Sequence, residues 1–197
     1  MESSAHFYFN WAKERIDEMD AVVASLEGKA AQLTADSRTT AEKIVADLRA
    51  KRDEFMDNMK KHAGASETTW SQAKVKLETE WNGFQADVKK YVEGFGEQAK
   101  QQQAIFEEVA SAQMKAWRQA ADKMLAASTE LATDQKARAE AAVQQMKAGA
   151  STAEANLQKL AKAGSESWTA LNAALGESRA AFDRANQKAW ESFKRAS

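Results

Sequence analysis

Large apolar residues recur every eleven positions along the first half of this chain, and that ladder constrains the fold more than any other feature. Trp11, Val22, Leu33, Ile44 and Phe55 form one row, which resumes after Ser66 with Leu77 and Val88. A second row, Leu26, Leu48, Met59, Trp70, Trp81 and Val92, runs four residues ahead and is interrupted at Ser37. Eleven residues span three turns at about 3.67 residues per turn, so both rows stay on one side of a helix for many turns. The fold class expected is all-α: long amphipathic helices with hendecad periodicity, in an elongated antiparallel coiled coil or helical bundle.

Helix breakers are scarce enough to permit this. The 197 residues include no proline and only eight glycines, and Ala, Gln, Glu, Lys and Met lose little on entering a helix. An apolar content of 44%, much of it alanine, is thin material for a spherical core and favours elongated packing. The best turn signal is Lys60-Lys61-His62-Ala63-Gly64-Ala65-Ser66, with cations in a last turn, a glycine for the C′ position and a serine to cap a new helix. A similar stretch, Lys147-Ala148-Gly149-Ala150-Ser151, is followed by Glu154 at capping-box spacing. Gly28, Gly94 with Gly96, Gly164 and Gly176 are weaker signals; Phe84, Phe95, Phe106 and Trp117 keep step through the paired glycines, which suggests a bend there. One elongated domain over residues 1–197 results, with helices over about residues 4–62, 66–148 and 151–196 and turns near Gly64 and Gly149. Such helices would be about 90, 120 and 70 Å long. A single rod paired with a second copy is the alternative, because the row Leu48, Met59, Trp70, Trp81 also keeps step across Gly64.

The stripe changes character along the chain. Near the N-terminus it is a narrow, alanine-spaced seam flanked by Lys29, Asp36, Asp47, Lys51 and Arg52, the kind of face that a coiled coil buries. Trp11, Val22, Leu26, Leu33, Ile44, Leu48, Phe55 and Met59 are therefore the candidate oligomer seam. From residue 70 onward the stripe gains Trp70, Trp81, Phe84, Phe95, Phe106 and Trp117, and later Trp168, Phe182 and Trp190. Rings this large fit a wider bundle or an apolar surface better than a two-stranded seam, so these nine are the candidate surface or partner contacts. Arg179 interrupts the second C-terminal row, Met146, Leu157, Trp168 and Trp190. Phe7, Tyr8, Phe9 and Trp11 form the densest aromatic patch, read as a plug at one bundle end or an anchor for a partner.

Charge and chemistry narrow the function classes. With 28 basic and 29 acidic residues interleaved, no basic face is set aside for nucleic acid. No run approaches the roughly 20 apolar residues of a membrane span, the N-terminus lacks a signal-peptide pattern, and the absence of cysteine suits a reducing cytoplasm. His6 and His62 are far apart and neither has a carboxylate at the Glu-x-x-His spacing of di-iron bundles. No phosphate loop or nucleophile motif occurs. Catalytic, cofactor and metal sites are thus expected to be absent, and the carboxylates are read as solvated faces.

The stretch from Trp168 through Phe182 to Trp190 resembles the phasins that coat bacterial polyester granules, and the chain as a whole is similar in style to apolipoprotein-like helical proteins. That resemblance implies Ala/Gln/Lys-rich helices, oligomerisation and function in an amphipathic surface. Two functions follow as expectations. The favoured one is a non-catalytic coiled-coil scaffold that self-associates as a dimer or tetramer. The alternative is a phasin-like coat whose aromatic face binds an apolar granule or lipid surface.

Overall fold

A computed structural model describes residues 5–95, 99–129, 131, 133–163 and 167–194. Among these residues there are six α-helices and no strand: α1 (Ala5–Ala30), α2 (Ala35–Lys61), α3 (Glu67–Phe95), α4 (Ala99–Ser128), α5 (Thr133–Ala163) and α6 (Trp168–Lys194). Each buries its apolar stripe against neighbouring helices of the same chain, and the stripes merge into one core.

The helices are 26 to 31 residues long, or about 40–47 Å, so the very long helices expected from the ladder do not occur. The first break is the turn after Ala30, at Ala31-Gln32-Leu33-Thr34, three residues beyond the weak signal at Gly28. It contains no glycine, and Leu33 keeps the eleven-residue step straight through it. Its closure is local: the Arg38 guanidinium reaches back from α2 to donate to the carbonyls of Ala31 (2.9 Å) and Leu33 (3.1 Å). At the next break the chain turns over His62–Gly64. There His62 Nδ1 lies 2.7 Å from the Asn58 carbonyl, and the Ser66 hydroxyl accepts the Thr69 N–H. Helix α3 ends at Phe95, one residue after Gly94; Gly96 lies outside the described residues, as does Gly164 beyond the end of α5. Gly28 and Gly176 lie within α1 and α6.

The turn expected near Gly149 is corrected. Helix α5 runs through it without a break, and Ser151 and Thr152 return their hydroxyls to the carbonyls of Lys147 and Ala148 within the helix rather than capping a new one. Glu154, expected to complete a capping box, instead pairs with Arg118 on α4. The glycine answers to close approach: a Cβ at Gly149 would lie 3.4 Å from the Trp117 ring, whose indole N–H donates to the Met146 carbonyl at 2.9 Å.

Helices α1 and α2, α2 and α3, and α4 and α5 are antiparallel, as the paired contacts Asp20–Arg52 with Glu27–Arg49, Lys51–Asp87 with Asn58–Glu80, and Asp122–Lys147 with Arg118–Glu154 require. Helices α1–α3 form one three-helix half and α4–α6 the other, joined along α1, α4 and α6. Trp70, Leu77 and Phe84 of α3 recur at one constant offset as Trp168, Leu175 and Phe182 of α6, so the halves use related core positions. The accessible surface, 10607 Å², is only modestly above the roughly 9,200 Å² of a compact monomer of this mass. The elongated packing expected from the thin apolar composition gives way to a bundle because six short helices share one core.

Candidate functional site at the seam between the halves

The residues assigned from sequence to an intermolecular seam lie inside this single chain. Trp11, Val22, Leu26, Leu48, Phe55 and Met59 are buried, while Leu33 and Ile44 are partly buried and packed on the core. The candidate surface contacts are enclosed as well. Trp70, Trp81, Phe84, Phe106, Trp117 and Phe182 are buried; Phe95, Trp168 and Trp190 are partly buried against the same cluster. Phe9 is likewise partly buried on the core, and the side chains of Phe7 and Tyr8 lie outside the described residues. Among those residues the one exposed large apolar side chain is Val75.

What stands out against this interior is charge. Glu14, Arg15 and Glu18 on α1 and Arg179 on α6 are all less than a tenth exposed. Arg15 donates to Asp183 of α6 through Nη2 at 2.9 Å and also pairs with Glu14. Arg179 forms a two-pronged pair with Glu18, Nε to Oε1 at 3.2 Å and Nη2 to Oε2 at 2.5 Å. Both guanidinium groups also stack on indoles, Arg15 on Trp11 and Arg179 on Trp81, each 4.7 Å from the ring centroid. Of the carboxylates read from sequence as solvated, Glu14 and Glu18 are here buried and Asp183 is partly buried, because α1 and α6 run antiparallel and bring 15 opposite 183 and 18 opposite 179. The interrupted ladder row at Arg179 was the one sequence signal of this site; nothing local marked Glu18 as the partner of Arg179, or Asp183 as that of Arg15.

Burial governs the electrostatics. Loss of water lowers the Arg15 pKa below its ordinary value despite the Asp183 charge, and burial raises that of Asp183 despite the guanidinium. Both shifts express a desolvation cost that the ion pair does not fully offset. Further along the same face of α6, Asn186 is wholly buried and neither amide atom has a hydrogen-bond partner among the described residues. Gln113 of α4 donates to the Leu175 carbonyl at 3.1 Å, but its Oε1 has no partner among the described residues, and neither has the Ser178 hydroxyl. A void of about 20 Å³ lies in the same seam, lined from α1, α3, α4 and α6 by Glu18, Val22, Trp81, Val109, Trp168 and Arg179, among others.

Among the described residues no group of three His, Asp or Glu side chains is placed to hold a metal ion, and no helix is long and apolar enough to cross a membrane. No family model, curated protein or solved structure matches the chain. The arrangement therefore has to be interpreted from its own chemistry: an apolar, aromatic interior divided by a buried polar layer whose members gain water if the halves part.

Proposed function

We propose that this is a non-catalytic, phasin-like coat protein that stores its aromatic stripe in a closed bundle and exchanges those contacts for an apolar granule or lipid surface. The observation that supports this reading is the enclosure, among the described residues, of nearly every large apolar side chain within one chain, around a core divided by desolvated polar groups. Self-association through the ladder, the favoured expectation from sequence, would need an apolar seam left outside the bundle, and among the described residues Val75 does not supply one. Amphipathic helices transfer their apolar faces from a core to an interface at little net cost, since both are apolar, and buried charges regain hydration on the way.

Co-flotation with a triglyceride emulsion or polyester granules, followed by tryptophan emission, tests the proposal. Binding should carry most of the protein to the buoyant fraction and change the emission of its six tryptophans. A chain that stays in solution with unchanged emission, while sedimentation shows a concentration-dependent dimer or tetramer, would establish the scaffold instead.

A further inference from the structure

We infer that this chain is a fused pair of three-helix units, and that the seam between them is a recognition surface on which each half accepts only the unlike half; this goes beyond the coat reading and does not depend on it. The offset that carries Trp70 to Trp168 also carries Ala30, the end of α1, to Ser128, the end of α4, and Ala35, the start of α2, to Thr133, the start of α5. Buried residues keep the same offset: Leu26 with Met124, Val45 with Val143, Leu48 with Met146, and Met59 with Leu157. A helical repeat alone would preserve the apolar phase but not the places where helices start and stop. The halves also meet as a symmetric dimer does. Gln113 meets Leu175 and Trp117 meets Phe182, so α4 and α6 run parallel. Because α6 is antiparallel to α1, α1 and α4 are antiparallel too, as a two-fold axis crossing between them requires. A residue on such an axis touches its own twin. Trp81 and Arg179 are twins, and the guanidinium stacks on the indole at 4.7 Å; Asp17 and Lys115 are twins, and both line one groove between α1 and α4.

The two sides of the axis differ in charge. On one side α1 meets α6 through Arg15–Asp183 and Glu18–Arg179. The twins of those pairs are Gln113 with Gln85, and Ala116 with Trp81, all neutral. Two N-terminal halves paired with each other would set each Glu18 against Trp81 and each Arg15 against Gln85, burying both Glu18 carboxylates without a guanidinium. Two C-terminal halves would set Arg179 against Arg179 on the axis, with alanine where Glu18 stands. Both pairings bury charge that has lost its partner, which costs far more than burying the pair. Unlike halves alone give both arginines a carboxylate across the seam. Each chain carries one half of each kind, so like-to-like pairing between molecules would join N-terminal half to N-terminal half and C-terminal half to C-terminal half in an assembly that never closes. The charged layer penalises that wrong partner and keeps the bundle closed on itself.

The twins supply the experiment. In the full chain, Glu14→Ala, Arg15→Gln, Glu18→Ala, Arg179→Trp and Asp183→Gln give each layer position the residue that its twin already has, so like and unlike halves become equivalent partners. Asp17→Cys is the reporter, because like-half pairing between molecules sets that position against its own copy on the axis, and the chain has no other cysteine. Val75→Cys, exposed on α3, reports random collision. After refolding from denaturant and treatment with a short bismaleimide, the neutral layer should raise covalent dimers through Asp17→Cys by about tenfold or more over the native layer. Dimers through Val75→Cys should stay within about twofold, and sedimentation should turn concentration-dependent. Should five substitutions unfold the bundle, as circular dichroism would report, Glu18→Ala with Arg179→Trp alters the on-axis contact alone and should raise the Asp17→Cys dimers by about threefold. An unchanged Asp17→Cys yield in a folded variant, or a native layer that already cross-links there as readily, overturns selection by the charged layer. Equal rises at both cysteines mean indiscriminate aggregation and overturn it as well.

Discussion

The interior of each half and the seam between the halves bury similar helices by opposite means. Within a half, rings and alanines interlock: Trp117 lies against Gly149 and Phe182, with its one polar atom satisfied. Across the seam, two arginines and three carboxylates meet beside an asparagine whose amide has no partner among the described residues. Dense apolar packing costs energy whenever it is separated. A buried ion pair returns much of its desolvation cost on separation. The contrast teaches that one core can combine dense apolar packing in one place with desolvated charge in another without any change of fold.

The comparison is broken most directly at Trp117. Trp117→Ala removes a wholly buried indole and should destabilise the bundle by about 4 kcal/mol, a fall in Tm of about 8–16 °C by calorimetry. If the loss is under about 1 kcal/mol, well below the usual range for a buried ring, the halves are not held by their rings. Next in size is Glu18→Gln, which leaves the Arg179 guanidinium buried without its counter-charge and should cost about 3 kcal/mol. Replacing the pair together, Glu18→Leu with Arg179→Met, should recover most of that loss in denaturant titration; no recovery would mean that the pair drives closure. Asn186→Leu, which removes two unsatisfied amide atoms at similar volume, should stabilise the closed state by about 1–2 kcal/mol and slow surface binding. A destabilised variant would show that the amide has a partner in solution.

Acidification sharpens the contrast through sign. The Asp183 pKa is raised by burial, so between the ordinary carboxylate value and the raised one the closed bundle holds a proton there that the unfolded chain has released. Its contribution to stability is flat above the raised value and grows as pH falls from there toward the ordinary carboxylate value. Asp87, inside the N-terminal half, behaves oppositely. Burial pushes its pKa up, but hydrogen bonds from Lys51 and Lys90 outweigh this and hold it low. Its contribution is present at neutral pH and is lost as pH falls through the depressed value. Carboxyl chemical shifts followed through an acid titration should therefore move Asp183 before Asp87; the reverse order would contradict the burial contrast. The smallest effect belongs to Gly176→Ala, where a Cβ meets nothing within 4 Å. It should add about 0.5–1 kcal/mol through helix propensity alone, and a loss in thermal melts would place an unseen contact on that face.

Much of the architecture was legible because periodicity is a local property. The eleven-residue rows identified which residues face inward, and Trp11, Leu48, Phe55 and Trp81 are indeed buried. Helix ends were less legible, since the rows pass through turns without losing step: Leu33 sits in one. Gly149 carried the same local signal as Gly64, yet one serves a ring from another helix and the other a change of direction. The polar seam was nearly invisible, because Glu14, Glu18 and Asp183 have the same sequence neighbourhoods as carboxylates on solvated faces.

By itself the sequence determined that the chain is helical, that its helices are amphipathic, and which stripe is apolar, since propensity and the 3.6-residue repeat act within a few turns of each residue. Tertiary structure alone decided where the ladder folds back on itself, that the stripe closes within one chain, and that Glu18 meets Arg179. Those outcomes depend on which helix lies opposite which, and a pairing between residues 161 positions apart leaves no mark on the neighbours of either one.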